Sequence, residues 1–251
     1  MQTRTSTATV GDELVRWRVF GAGPPLVLVH GLSGSWRWWR PVLGPLSKTH
    51  ELHLLDLPRA TALARRPDAD TAEWLCSWLD AARLDRASVL AHSLGALSAA
   101  RMASRRPDAV DRLVLTAPVG APTGRRLHGY AAPLAVSLVR SHPRLLPTLA
   151  RDALRTGPSS LLRGALEAAR AEVGGELASV RAPTLLVWGE RDPLVPPSTS
   201  EGWFAALPDA RLAIVPGAAH VPMWEAPDAF ATLVLDFLHE TLHDGGDEPG
   251  R

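Results

Sequence analysis

Six short runs dominated by Val, Leu and Ile, at Pro25–Val29, Leu52–Leu55, Ala87–Leu90, Val110–Leu115, Thr184–Trp188 and Arg211–Val215, recur along the chain with longer helical patterns between them. Runs this poor in polar residues suit strands covered on both faces, and strands that alternate with helices run mostly parallel. The expected fold class is therefore α/β, a mostly parallel central sheet flanked by helices. Leu14–Phe20 instead alternates apolar and polar residues and reads as an earlier, antiparallel edge strand paired with Thr3–Val10.

The rhythm breaks between residues 119 and 180, where helical patterns such as Leu161–Val173 occur without a clear strand. A long ordinary crossover would give such a break. The expectation adopted is a small helical insertion covering the carboxyl edge of the sheet, with residues 1–118 and 181–242 as the core. The end of the sequence, 243–251, is Gly-rich and polar and is expected to fray.

At 251 residues the chain can bury a core that needs no disulfide staples. Its one cysteine, Cys76, lies among apolar residues at helical spacing and reads as a buried, inert thiol, so no cysteine nucleophile or metal cluster is implied. The net charge of +1, with arginines and carboxylates mixed along the chain, gives no basic stripe for nucleic acid. No stretch approaches the roughly 20 apolar residues of a membrane span, and the beginning, MQTRTSTATVGDELVRW, has no signal-like apolar run. A soluble, cytoplasmic protein acting on a small molecule is the expectation. The single lysine, Lys48, precedes a strand away from any other chemical feature, which gives little support to Schiff-base or phosphate-loop chemistry.

Ligands in doubly wound sheets bind outside the carboxyl ends of the strands, so the residues just after each apolar run carry the most weight. Ser93, in Ala91-His92-Ser93-Leu94-Gly95, stands between a strand and an expected helix, Leu94–Ala103, with small residues two positions to either side. That pattern fits a sharp turn presenting a nucleophile, with the Leu94 amide at the helix N-terminus beside a developing oxyanion. A plain helix N-cap would have the same sequence. His220 follows the last apolar run through Pro216-Gly217-Ala218-Ala219 and is the best-placed base among nine histidines, although a solvated loop histidine would also sit there. His92 is a poor base, since neighbouring side chains at a tight turn diverge, and packing beside the turn is its expected role.

An imidazole base needs an acceptor to fix its tautomer. Asp192, after Thr184–Trp188 and before Pro193, is the candidate, with Glu190 as its competitor and an exposed turn aspartate as the alternative. Placement shifts the balance: Ser93, Asp192 and His220 each follow a different apolar run, in the order serine, acid, histidine. His30-Gly31-Leu32 follows Pro25–Val29, where Gly31 lets the backbone pass close to the site and the Leu32 amide supplies a second oxyanion donor.

Together the stretches VLVHGLSGS at 27–35, LAHSLGA at 90–96, LLVWGERDPLVP at 185–196 and GAAHVPMWEAPDAF at 217–230 resemble the α/β-hydrolase superfamily over nearly the whole chain. The resemblance implies an α/β-hydrolase fold with residues 119–180 as a helical cap. It also implies Ser93 as nucleophile, His220 as general base and acid, Asp192 as its partner, and the amides of Leu32 and Leu94 as the oxyanion hole. Two departures stand out. Ala91 replaces the first glycine of G-x-S-x-G, and Arg59-Ala60-Thr61 follows Asp56-Leu57-Pro58 where the family commonly has a Gly-x-Gly turn.

The expected chemistry is hydrolysis of a carboxylic ester or related acyl compound through an acyl-enzyme, with no metal or organic cofactor required. Carbon-carbon bond hydrolysis of a diketone, a haloperoxidase-like reaction, and biosynthetic thioesterase or acyltransferase chemistry all suit the same triad, as does a small-molecule receptor with a disabled site. His30, Gly31, Trp36 and His92 are the pocket candidates, although the tryptophans of SWRWW would pack in a helix. Arg125, Arg126, Arg140 and Arg144 could hold an acidic substrate or simply be solvated.

Overall fold

The computed structural model describes residues 3–58, 70–121 and 127–240. Arg59-Ala60-Thr61, Arg125, Arg126 and the stretch 243–251 lie outside these described residues.

Eight strands form one sheet: β1 (Thr3–Val10), β2 (Glu13–Phe20), β3 (Pro25–Val29), β4 (Glu51–Leu54), β5 (Ala87–His92), β6 (Val110–Thr116), β7 (Thr184–Gly189) and β8 (Ala210–Val215). Their order across the sheet is β1-β2-β4-β3-β5-β6-β7-β8. β2 is antiparallel to both β1 and β4, and every pairing from β4 through β8 is parallel. The edges are β8 and β1, and the Thr- and Ser-rich sequence of β1 leaves most of its side chains in water. Such an edge offers little apolar surface to another strand.

Burial explains the bare apolar runs. β5 and β7 are buried at all six positions, because helices cover both faces of the sheet. On one face lie α1 (Thr71–Ala82) and α2 (Leu94–Arg105), whose Trp78 and Leu97 share a core cluster with Trp17 and Trp188. Asp70 starts α1 by accepting the Glu73 N–H at 2.8 Å, and Cys76 is buried within the helix. On the other face a 3-10 helix, Trp36–Val42, packs with the C-terminal helix Pro227–His239 through Trp39, Phe230 and Phe237.

Between β6 and β7 the chain forms no strand among its described residues. It forms α3 (Ala131–Arg140), α4 (Leu146–Thr156) and α5 (Pro158–Arg170). The excursion leaves and returns at one place, where the Val173 N–H donates to the Gly120 carbonyl at 2.9 Å. Because β3 through β8 run in one direction, the residues following β3, β4, β5, β7 and β8 gather at one edge of the sheet. Those residues are His30, Asp56, Ser93, Asp192 and His220.

Candidate active site

Ser93 joins β5 directly to α2 with φ 54° and ψ −122°, a backbone conformation in which a side chain is strained. Its N–H donates to the Thr116 carbonyl at 2.8 Å and its carbonyl accepts the Ala96 N–H at 3.0 Å, so the turn is held from both strand and helix. The side chain makes no capping hydrogen bond. The Ser93 hydroxyl is thus not used as a helix cap, and the Leu94 amide opens the helix. Gly95 is obligatory here, since a Cβ would stand 2.2 Å from the His30 carbonyl oxygen.

The loop after β3 lies against this elbow. A Cβ on Gly31 would be 3.0 Å from the Ser93 Cβ, which places the Gly31-Leu32 backbone alongside the serine. His30 fastens the loop: Nδ1–H donates to the Gly31 carbonyl at 2.8 Å and Nε2 accepts the Leu57 N–H at 2.9 Å. Burial lowers the His30 pKa more than its neighbours raise it, which agrees with the neutral tautomer those two bonds require. A cavity of about 70 Å³ adjoins the loop, lined in part by His30, Gly31, Leu32, Leu94, Arg155 and Glu167.

Asp192 and His220 meet on the other side. His220 Nδ1 lies 2.7 Å from Asp192 Oδ2, both side chains being buried. The second carboxylate oxygen of Asp192 accepts the N–H groups of Leu194 at 2.8 Å and Val195 at 3.0 Å, so the acid is fixed by its own turn. Glu190, its competitor in sequence, instead accepts the Gly217 N–H at 2.8 Å. Burial opposes an imidazolium at His220, but the charge and hydrogen bond of Asp192, with Glu225 beyond, outweigh it and hold the pKa above its ordinary value.

Two residues support the histidine in ways the sequence did not suggest. His92 is only 1% exposed, and its Nε2–H donates to the backbone carbonyl of His220 at 2.8 Å. It is not among the residues lining the cavity beside Leu32. Burial, with the neighbouring His220, pushes its pKa well below the usual value, and its Nδ1 has no partner among the described residues. Glu225 accepts the N–H of Ala219, next to His220, at 2.5 Å, and its own N–H donates to the Val221 carbonyl at 3.2 Å. The available signal was a carboxylate five residues after His220, one short helical turn beyond Pro222. Trp36, a pocket candidate, has its ring between the guanidinium groups of Arg18 and Arg37, at 4.7 and 4.9 Å from its centre. Among the described residues no three His, Cys, Asp or Glu side chains converge to hold a metal ion.

The helices between β6 and β7 touch this edge directly. α5 packs on the loop after β3 so closely that a Cβ on Gly164 would lie 2.3 Å from the Leu32 side chain. From α4, Asp152 Oδ2 accepts hydrogen bonds from Ser35 Oγ at 2.7 Å and Trp38 Nε1 at 3.2 Å. Asp152 is 1% exposed, and its other oxygen has no partner among the described residues.

Comparison with known proteins agrees with this architecture. Residues 26–233 match the model of the alpha/beta hydrolase family. The pimeloyl-[acyl-carrier protein] methyl ester esterase of Neisseria meningitidis is 30% identical over 247 residues, covering 86% of this chain and 93% of that protein. The dihydrolipoyllysine-residue acetyltransferase component of an acetoin cleaving system from Pseudomonas putida is also 30% identical, over 93% of this chain and 69% of that one. Among solved structures, a hydrolase from Pseudomonas aeruginosa superposes with a TM-score of 0.76 at 24% identity, covering 94% of this chain and 99% of that one, a likeness of fold. The family match spans most of the chain, from β3 into the C-terminal helix, and the chain belongs to the alpha/beta hydrolase family.

Proposed function

We propose that this protein hydrolyses small-molecule carboxylic esters through an acyl-enzyme, with Ser93 as nucleophile, His220 as general base and acid, and Asp192 as its orienting partner. The observation that carries the reading is the 2.7 Å contact between His220 Nδ1 and Asp192, at the strand edge where Ser93 stands in a strained elbow with its hydroxyl unused as a cap. Committing Nδ1–H to the carboxylate leaves the Nε2 lone pair to accept a proton. In the proposed first step, Ser93 Oγ attacks the ester carbonyl as its proton passes to His220 Nε2. The oxyanion is held by the amides of Leu32 and Leu94, and Asp192 stabilises the imidazolium. His220 then protonates the departing alcohol. Water attacks the acyl-enzyme by the same route and releases the acid.

The ester class is supported by the 30% identity to a methyl ester esterase that covers 86% of this chain. We read residues 119–180 as a cap over the core, supported by the contacts of Gly164 with Leu32 and of Asp152 with Ser35 and Trp38. Ser93→Ala tests the assignment: turnover of a p-nitrophenyl ester should fall by about 10⁴-fold or more with an unchanged thermal melt. Fluorophosphonate should label the parent protein at Ser93. Unchanged turnover in the variant, or failure of the parent to label, sinks the proposal.

A further inference from the structure

Helix α3 is inverted relative to a packed helix. Of its ten residues, AAPLAVSLVR, the buried one is Ser137, while Leu134, Val136 and Leu138 are exposed and Val139 is 86% exposed. A helix that packs on a core buries its apolar stripe and shows its polar one. The exposed apolar surface resumes on α4 with Leu146 and with Leu154, which is 84% exposed.

The charge around this surface is one-sided. The whole chain is nearly balanced, with 27 basic and 26 acidic residues, yet residues 127–151 contain three arginines and no Asp or Glu. Arg140, Arg144 and Arg151 are exposed at the end of α3, the turn that follows and α4. Among the described residues none of the three pairs with a carboxylate; Arg140 donates instead to the Arg191 carbonyl at 3.3 Å, beside the Asp192 turn.

We propose that α3 and the turn into α4 form a docking surface for an anionic lipid bilayer. The apolar side chains of α3 enter the boundary between headgroups and acyl chains, and the three arginines meet the lipid phosphates. Two features favour this occupant. A two-fold contact with a second copy through the same surface would set arginine against arginine with no carboxylate to relieve it. The exposed apolar side chains surround most of the helix instead of forming the single stripe that fits a protein groove, whereas a fluid medium accepts any orientation. No helix among the described residues is long and apolar enough to cross a membrane, so the contact is peripheral. The Arg140 contact places this face beside the Asp192 turn. The proposal rests on the surface alone and stands or falls separately from the esterase reading.

The test is flotation of the intact protein with vesicles of phosphatidylcholine containing about a third phosphatidylglycerol, against pure phosphatidylcholine. Three arginines near an anionic surface predict a preference on the order of 100-fold for the charged vesicles. Val139→Asp should weaken binding to the charged vesicles at least about tenfold, while an unchanged thermal melt shows that the fold is intact. Val139→Trp should strengthen it. Arg144→Gln combined with Arg151→Gln should bring the two vesicle types closer together. A parent protein that stays unbound, or a Val139→Asp variant that binds as the parent does, overturns the proposal. So does a concentration-dependent dimer that Val139→Asp dissolves in the absence of vesicle binding, which would assign the surface to a second copy.

Discussion

His220 is held by more than its carboxylate. Asp192 fixes the ring, His92 donates to the residue's own carbonyl, and Glu225 accepts the N–H of the preceding Ala219 while donating its own N–H to the following Val221 carbonyl. Three residues thereby specify both the rotamer and the peptide planes of one imidazole, the kind of support that keeps a proton acceptor within a few tenths of an ångström of its target. Glu225 adds a charge effect that can be isolated. Its negative charge helps to raise the His220 pKa, and His220 must be neutral to accept the serine proton, so the acidic limb of a kcat/KM profile should lie above the ordinary histidine range. Removing that charge with Glu225→Gln, which keeps the shape, should move the limb to lower pH. A role confined to holding the loop would depress the plateau and leave the limb in place, so an unmoved limb would count against the charge effect. Ser93, Asp192 and His220 could be singled out as candidates because each comes a few residues after a different apolar run. His92 and Glu225 could not, because they act on backbone atoms, and a contact to a carbonyl or an N–H leaves no residue-type pairing in the sequence.

At the scale of elements, the joint between α4 and the 3-10 helix Trp36–Val42 has a fully buried carboxylate, Asp152, beside the part-buried Asp56 that links Arg155 to the Trp36 N–H. Ser35 caps the 3-10 helix, accepting the Arg37 N–H, and passes its own hydroxyl hydrogen to Asp152, which also receives the Trp38 indole. Both bonds reach Oδ2, so an amide oxygen can replace that acceptor while removing a buried charge. Asp152→Asn should therefore stay within about 1 kcal/mol of the parent in urea unfolding. Asp152→Leu strands two buried donors and should cost about 2–4 kcal/mol. Equal effects of the two substitutions would show that charge, not hydrogen bonding, makes the joint. The helical spacing in this region was readable, and Leu161–Val173 corresponds to α5 shifted by about one turn. The joint was not readable, because a lone aspartate flanked by arginines in a helix has the sequence of a solvated face. SWRWW behaved as packing aromatics at Trp38 and Trp39, both buried, whereas Trp36 stayed part-exposed between two guanidinium groups.

For the whole molecule, the inner strands β3, β5 and β7 were visible as apolar runs because two-sided burial leaves few polar residues in them. Their order was not visible. A run of Val and Leu carries no label for its neighbour, and nothing in Glu51–Leu54 announces that it lies between β2 and β3. The two buried clusters lie on opposite faces of this sheet, and the helices α3 to α5 supply few of their members. The chain also enters and leaves that excursion at one point, Gly120 against Val173. Segments with adjoining ends and little share in a core are the ones that domain insertion tolerates, so the remainder should fold without them. Replacing residues 122–171 by a flexible linker of about four residues keeps the Val173 bond and the stretch Gly175–Ser179, which α2 holds through Arg101 and Ser104. The shortened chain should unfold in one cooperative transition at a lower urea midpoint, having lost the Asp152 joint and exposed Leu32 and Trp38. It should still react with a fluorophosphonate at Ser93, since the elbow, Asp192 and His220 lie on the retained strands. A broad, non-cooperative transition would show instead that the helices and the sheet form one folding unit, and that the division between core and cap is one of position alone.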